Sequence, residues 1–278
     1  MAILNVRKAM EIRQSMRTYR REALTGELRH KLENSFKDNQ GPFGLPVRFA
    51  LVDTDKKEED VKLGTYGVIK GATTFLCAAV EKKPRYEENL GYALEEIILY
   101  ATSLGLGTCW LGGTFKRGEF AKALNLKASE ELPAITPVGF SADKRSLLES
   151  LMVKYVGARN RKSFQELFFN KSFDTPLDSE AAGTFKEALE MVRIGPSASN
   201  KQPWRVVKDG ERYHFYVCRT KGYGKMMEFD IQRLDIGIAM CHFELAAKEA
   251  GLSGSWSDEN PGLALPELTE YIITFVPS

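Results

Sequence analysis

The sequence predicts an α+β fold in which two homologous halves of one chain cover each other as an intramolecular pseudo-dimer. Three observations lead there. A long segment recurs once at a fixed shift, which comes before any other reading of organisation. In each copy helices lead and hairpin-like strands follow, unlike a strictly alternating parallel sheet. The 278 residues, 43% hydrophobic and 27% charged, suffice for about two ordinary domains with full cores.

The recurrence is plainest between 90–110 (LGYALEEIILYATSLGLGTCW) and 236–256 (IGIAMCHFELAAKEAGLSGSW), a shift of 146. It pairs Gly91 with Gly237, Ala101 with Ala247, Gly105 with Gly251, Leu106 with Leu252 and Trp110 with Trp256. Apolar residues at i, i+3, i+4 and i+7 predict a helix with one buried face in each copy, closed by a glycine. MAILNVRKAMEIRQ predicts a leading amphipathic helix. Helices are expected over about 26–37 and 179–193, then Pro-rich turns into strands at 45–51 and 202–207. Further strands are expected at 73–80 and 212–218 before the long helices, with closing strands at 133–140 and 271–276. Arg161-Lys-Ser163-Phe-Gln165 reads as the second copy of Arg13-Gln-Ser15-Met-Arg17. The expected halves are therefore 1–160 and 161–278.

Composition excludes several classes. Thirty-nine basic against 37 acidic residues leave a net charge of +2, so no nucleic-acid or anionic membrane partner is expected. Cys77, Cys109, Cys218 and Cys241 form no CxxC pair, and His30, His214 and His242 show no metal-ligand spacing. Buried, reduced thiols in a cytoplasmic protein are the expectation. Ile97 to Phe115 runs 19 residues without a charge, the length of a membrane span. Its four glycines instead indicate the end of a buried helix followed by a turn.

Three clusters carry possible chemistry. Arg13 and Arg17, four apart, fall on one side of a helix or of a strand, and with Ser15 between them two guanidinium groups and a hydroxyl suit a phosphate dianion. Ordinary surface ion pairs would use the same residues. Pro196, Ser197 and Asn200, within GPSASNKQPW, build a rigid turn offering hydroxyl and amide groups, or simply a turn. Gly112 and Gly113, after Gly105-Leu-Gly-Thr-Cys-Trp-Leu111, allow close backbone approach to a flat ligand, although tight helix packing explains the earlier glycines equally well.

Together the three clusters resemble the flavin-dependent nitroreductase family, most closely its tandem members, over nearly the whole chain and once per half. The resemblance implies a nitroreductase-like fold with FMN as cofactor. It implies that Arg13, Gln14, Ser15 and Arg17 hold the phosphate end, that Pro196, Ser197 and Asn200 reach in from the other half, and that Leu111, Gly112 and Gly113 lie along the ring. A basic pair after the last strand falls at Lys144 and Arg145, and Tyr66 and Gly67 are expected to border the flavin. NAD(P)H is the implied transient reductant, with hydride passing through flavin N5 to a nitroaromatic, quinone or similar small acceptor and no catalytic acid or base. Because Gln165 stands where Arg17 would and the first half lacks the Ser/Asn turn, one composite site and one FMN per chain are expected. The fused unit would itself supply the dimer, so a monomeric chain is compatible. A flavin store or sensor without turnover is the alternative.

Overall fold

The computed structural model describes residues 5–37, 39–54, 64–142 and 160–278. Lys144 and Arg145 lie outside the described residues. Two long helices cross at the centre, each flanked by one antiparallel-rich sheet. After α1 (Val6–Ile12) and α2 (Gly26–Ser35) come the strands β1 (Val47–Asp53) and β2 (Thr74–Glu81). The first central helix, α3 (Tyr86–Ser103), leads to β3 (Gly107–Thr108), α4 (Arg117–Ala123), β4 (Glu130–Glu131) and β5 (Ile135–Gly139). Next are α5 (Phe164–Leu167), β6 (Phe168–Asn170) and α6 (Lys186–Ile194). The hairpin β7 (Trp204–Asp209) and β8 (Arg212–Cys218) precedes the second central helix, α7 (Ile231–Glu249), and then β9 (Gly254–Ser257) and β10 (Thr269–Pro277).

The first sheet runs β1-β2-β5-β3, with β4 pairing β2 at its side; the second runs β6-β7-β8-β10-β9. Apart from β6, which joins β7 in parallel, the second sheet takes its strands in the chain order of the first. Both central helices end alike. Gly105 at φ 79° and Gly251 at φ 76° adopt the left-handed conformation that a side chain resists. Leu106 N then donates to Ala101 O at 3.0 Å, and Leu252 N to Ala247 O at 2.9 Å. The charge-free run from Ile97 is thus a helix end and a glycine turn. No described helix is long and apolar enough to cross a membrane.

The expected helix over 179–193 is broken. Glu180–Phe185 is a tight 3-10 stretch in which Gly183 turns to φ 65°, and only then does α6 begin. The segment Arg13–Arg17 resolves toward the extended alternative, because α1 ends at Ile12 and Met16 N donates to Thr108 O at 2.8 Å. Residues 13, 15 and 17 therefore fall on one side of an extended chain.

The α3–α7 crossing is made by backbone. A Cβ on Gly91 would stand 2.1 Å from Leu234 O, and one on Gly237 would stand 2.0 Å from Glu88 O. Each helix feeds both large cores, since Tyr92 and Leu99 pack with the second sheet while Ile231, Leu234 and Ile238 pack with the first. Arg233 of α7 pairs across the crossing with the buried Glu88 at 2.6 Å. Gly91→Ala should therefore lose about 2–3 kcal/mol in urea unfolding, although alanine gains ~1 kcal/mol of helix propensity. An unchanged unfolding midpoint would contradict a crossing held at backbone distance.

At the edge of the first sheet, Arg48 grips Glu130 through Nε at 2.9 Å and Nη2 at 2.5 Å. This hydrogen-bonded pairing holds the Glu130 carboxyl down at about 2. A carboxylate with a depressed native pKa adds stability above its ordinary titration range and loses it as pH falls through the native value. Because Arg48 is about a third exposed (36%), solvent screening leaves about 1–2 kcal/mol of that contribution. Glu130→Gln should flatten the stability-versus-pH curve by that amount between the unfolded range near pH 4.5 and pH 2.

Candidate functional site

A cavity of about 550 Å³ opens where the first sheet meets the second central helix. Arg13, Gln14, Ser15 and Arg17 line one end, and Leu111, Gly112 and Gly113 line a wall. Pro196, Ser197 and Asn200 enter from far along the chain. Ten of the twelve residues expected from sequence thus meet in one space, the other two being Lys144 and Arg145. Tyr66 projects into solvent, and its neighbour Val68 lines the cavity in its place.

Each part has a local cause. The 13–17 strand is laid beside β3, and the Arg17 guanidinium donates back to Ser15 O at 3.3 Å. Leu111 exchanges backbone hydrogen bonds with Ile135 at 2.9 and 3.0 Å, so the glycines after it leave the sheet at a defined point. Arg117 then fixes them by donating to Gly112 O at 2.9 Å, its guanidinium lying between the rings of Phe115 and Phe229. A Cβ on Gly112 would meet Ile231 Cδ1 at 3.0 Å, so α7 lies directly over this turn.

The distant turn is strained. Ser199, Asn200 and Gln202 all hold positive φ, between 47° and 54°, a costly conformation for residues with side chains. Several bonds over-determine it. Asp235 of α7 accepts from Ala198 N at 3.0 Å, Ser197 Oγ accepts from Gln202 N at 2.8 Å, and Gln202 Oε1 accepts from Lys162 N at 3.0 Å. Burial pushes the Asp235 carboxyl well above the usual carboxylate range.

One reading from sequence is corrected here. Arg161 does not stand in a second copy of the Arg13 position; it lines the same cavity as Arg13 and Arg17. It donates to Ile194 O at 3.1 Å and to Asn200 Oδ1, while Asn200 Nδ2 donates to Asn160 O at 2.8 Å. Ser163, the supposed partner of Ser15, instead caps α5 through Glu166 at 2.8 Å. The RxS spacing therefore arises from a helix cap in one place and an extended strand in the other. Burial, then the nearby Arg13 and Arg193 charges, lower the Arg161 pKa to about 10.

The electrostatic balance favours an anion. Among the described residues three guanidinium groups line the cavity against one carboxyl, Asp235, which burial favours as the neutral acid. The Arg13 side chain is only 6% exposed, and its Nη1 is buried without a hydrogen-bond partner. A buried guanidinium nitrogen left without an acceptor is costly, so this donor set fits the phosphate of a bound ligand. The same cavity is lined by Tyr223, Met227, Ile231, Leu234 and Ile238, an apolar set suited to a flat aromatic body. Neither this wall nor Arg161 was singled out from sequence as part of the site. The wall has no motif, and Arg161 was visible only as an apparent repeat. Among the described residues no cluster of His, Cys, Asp and Glu could hold a metal ion.

The chain is similar to a solved "putative nitroreductase" from Thermotoga maritima at 19% identity, with a TM-score of 0.59, over 99% of this chain and 94% of that one. An FMN-dependent nitroreductase from Clostridium difficile is 21% identical over 50% of this chain and 88% of its own, with a TM-score of 0.42. A nitroreductase with bound FMN from Bacteroides fragilis is 19% identical over 52% and 92%, with a TM-score of 0.41. No curated protein matches the sequence. The model of the family described as "Putative TM nitroreductase" matches residues 5–247, and the chain belongs to that family.

Proposed function

We propose that the protein is an FMN-dependent NAD(P)H oxidoreductase of the nitroreductase type, with two nitroreductase-like units, 1–160 and 161–278, fused as a pseudo-dimer around one composite site. The observation that carries this reading is the buried Arg13 Nη1, which has no hydrogen-bond partner, in a cavity also lined by the apolar Met227, Ile231, Leu234 and Ile238. Arg13, Arg17, Ser15 and Arg161 would hold the phosphate. Leu111, Gly112 and Gly113 would bound one edge of the ring, with Ile231 and Met227 against it. Asn200 would act mainly by aiming Arg161, since both ends of its amide are engaged by the protein. When bound, FMN would supply the two-electron chemistry between a reduced nicotinamide and a nitroaromatic, quinone or similar acceptor. The chain's own contribution is binding, orientation and exclusion of water.

Fusion and a single site draw support from the 146-residue shift. It carries Ile231 to Arg85 and Gly112 to Asp258. Where Ile231 crosses Gly112 and leaves an opening, Arg85 pairs with Asp258 at 2.9 Å and donates to Ile272 O at 2.8 Å. Phe43 lies 5.2 Å from the Arg85 guanidinium. Asn89, shifted onto Asp235, accepts from Phe43 N at 3.0 Å much as Asp235 accepts from Ala198 N. On this reading the Arg85–Asp258 pair and the Phe43 ring would stand where the shift puts a second cofactor.

Arg17→Ala and Arg161→Ala should each remove a charge-assisted contact and weaken FMN binding roughly ten- to a hundredfold. Asn200→Ala should weaken it about three- to tenfold through Arg161. Fluorescence titration of flavin-free protein measures all three, and unchanged affinities would refute the phosphate assignment. For turnover, NADH or NADPH should be consumed steadily when a nitroaromatic is added. Flavin retained with no consumption would favour the flavin store instead.

A further inference from the structure

Behind the cavity wall lies a fully buried carboxylate that no step above uses. Glu95, on α3, does not line the cavity but touches two residues that do. Its Oε2 accepts from Trp110 Nε1 at 2.6 Å, and its Oε1 stands 3.9 Å from Arg13 Nε. From α7, His242 places Nε2 2.9 Å from the same Oε1 and Nδ1 2.9 Å from the Met191 carbonyl oxygen. Both Glu95 and His242 are 0% exposed.

These contacts settle a proton inventory. A carbonyl only accepts, so Nδ1 carries a hydrogen; the Nε2–Oε1 contact needs one more. Whichever partner holds the shared proton, the pair is neutral as a unit. At 3.9 Å Arg13 Nε is beyond hydrogen-bond distance of Oε1. Arg13 therefore keeps its whole charge while sitting next to a carboxyl that could cancel it. Resting on the FMN reading above, we propose that His242 is a positioning residue that neutralises Glu95, so that Arg13 faces the cavity as an uncompensated cation able to take the ligand's phosphate. Without that imidazole, ionised Glu95 would draw Arg13 into a direct pair and away from the anion.

The test compares FMN with riboflavin, which lacks the phosphate, on flavin-free full-length protein. His242→Gln should weaken FMN about 10- to 30-fold and leave riboflavin within about twofold. Glu95→Gln in the same chain should return FMN to within about threefold of the wild type. Equal losses for both flavins, no loss, or no recovery in the double variant would overturn the proposal. If the wild type binds no flavin, the FMN reading fails by itself, and inorganic phosphate becomes the probe. Thermal stabilisation by phosphate in the wild type and the double variant, lost in His242→Gln, would still support the pair; equal stabilisation in all three, or none, would overturn it. Nitrogen NMR of the wild-type His242 ring needs no variant to fold. A hydrogen on Nδ1 is expected, and a bare Nδ1 would contradict the inventory.

Discussion

Everything in this molecule is organised by two helices that touch through glycine. At Gly91 and Gly237 each helix presents its backbone to the other, closer than any side chain permits. Ridges of larger residues would have held α3 and α7 further apart. The close approach lets each helix enter the core of the opposite sheet, so Ile231 and Leu234 reach over the first sheet. It also sets Asp235 beneath the 196–202 turn and Ile231 above Gly112. The cavity is a by-product of that geometry, bounded by residues more than 180 positions apart.

Charge is distributed unevenly around this space. The three lining arginines come from two stretches of chain, 13–17 and Arg161, and the one carboxyl among the described lining residues is buried where its neutral form is favoured. Burying that much positive charge costs stability, which the anion of the proposed function would offset. The strained turn fits the same account. Left-handed Ser199, Asn200 and Gln202 hold their places because Asp235, Ser197 and the 160–162 segment each tie them down.

Much of this was legible in the sequence, for identifiable reasons. The central helices declared themselves through apolar periodicity and through Gly105 and Gly251, which end a helix by a purely local mechanism. Arg13, Ser15 and Arg17 could be grouped because alternation puts them on one side of an extended chain. What escaped was whatever depended on tertiary placement. Arg161 resembles Arg13 in its immediate neighbours, yet its bonds to Ile194 O and Asn200 carry it to the same cavity. Gly183 broke a helix that periodicity alone would continue. Glu95 and His242 lie 147 positions apart, and nothing local announces that they share a proton.

The most direct measurement is the flavin released on denaturing the purified, FMN-saturated protein, quantified by absorbance against chain concentration. The proposed single composite site requires a ratio of one. A ratio of two, or protein that stays colourless after exposure to FMN, would contradict it.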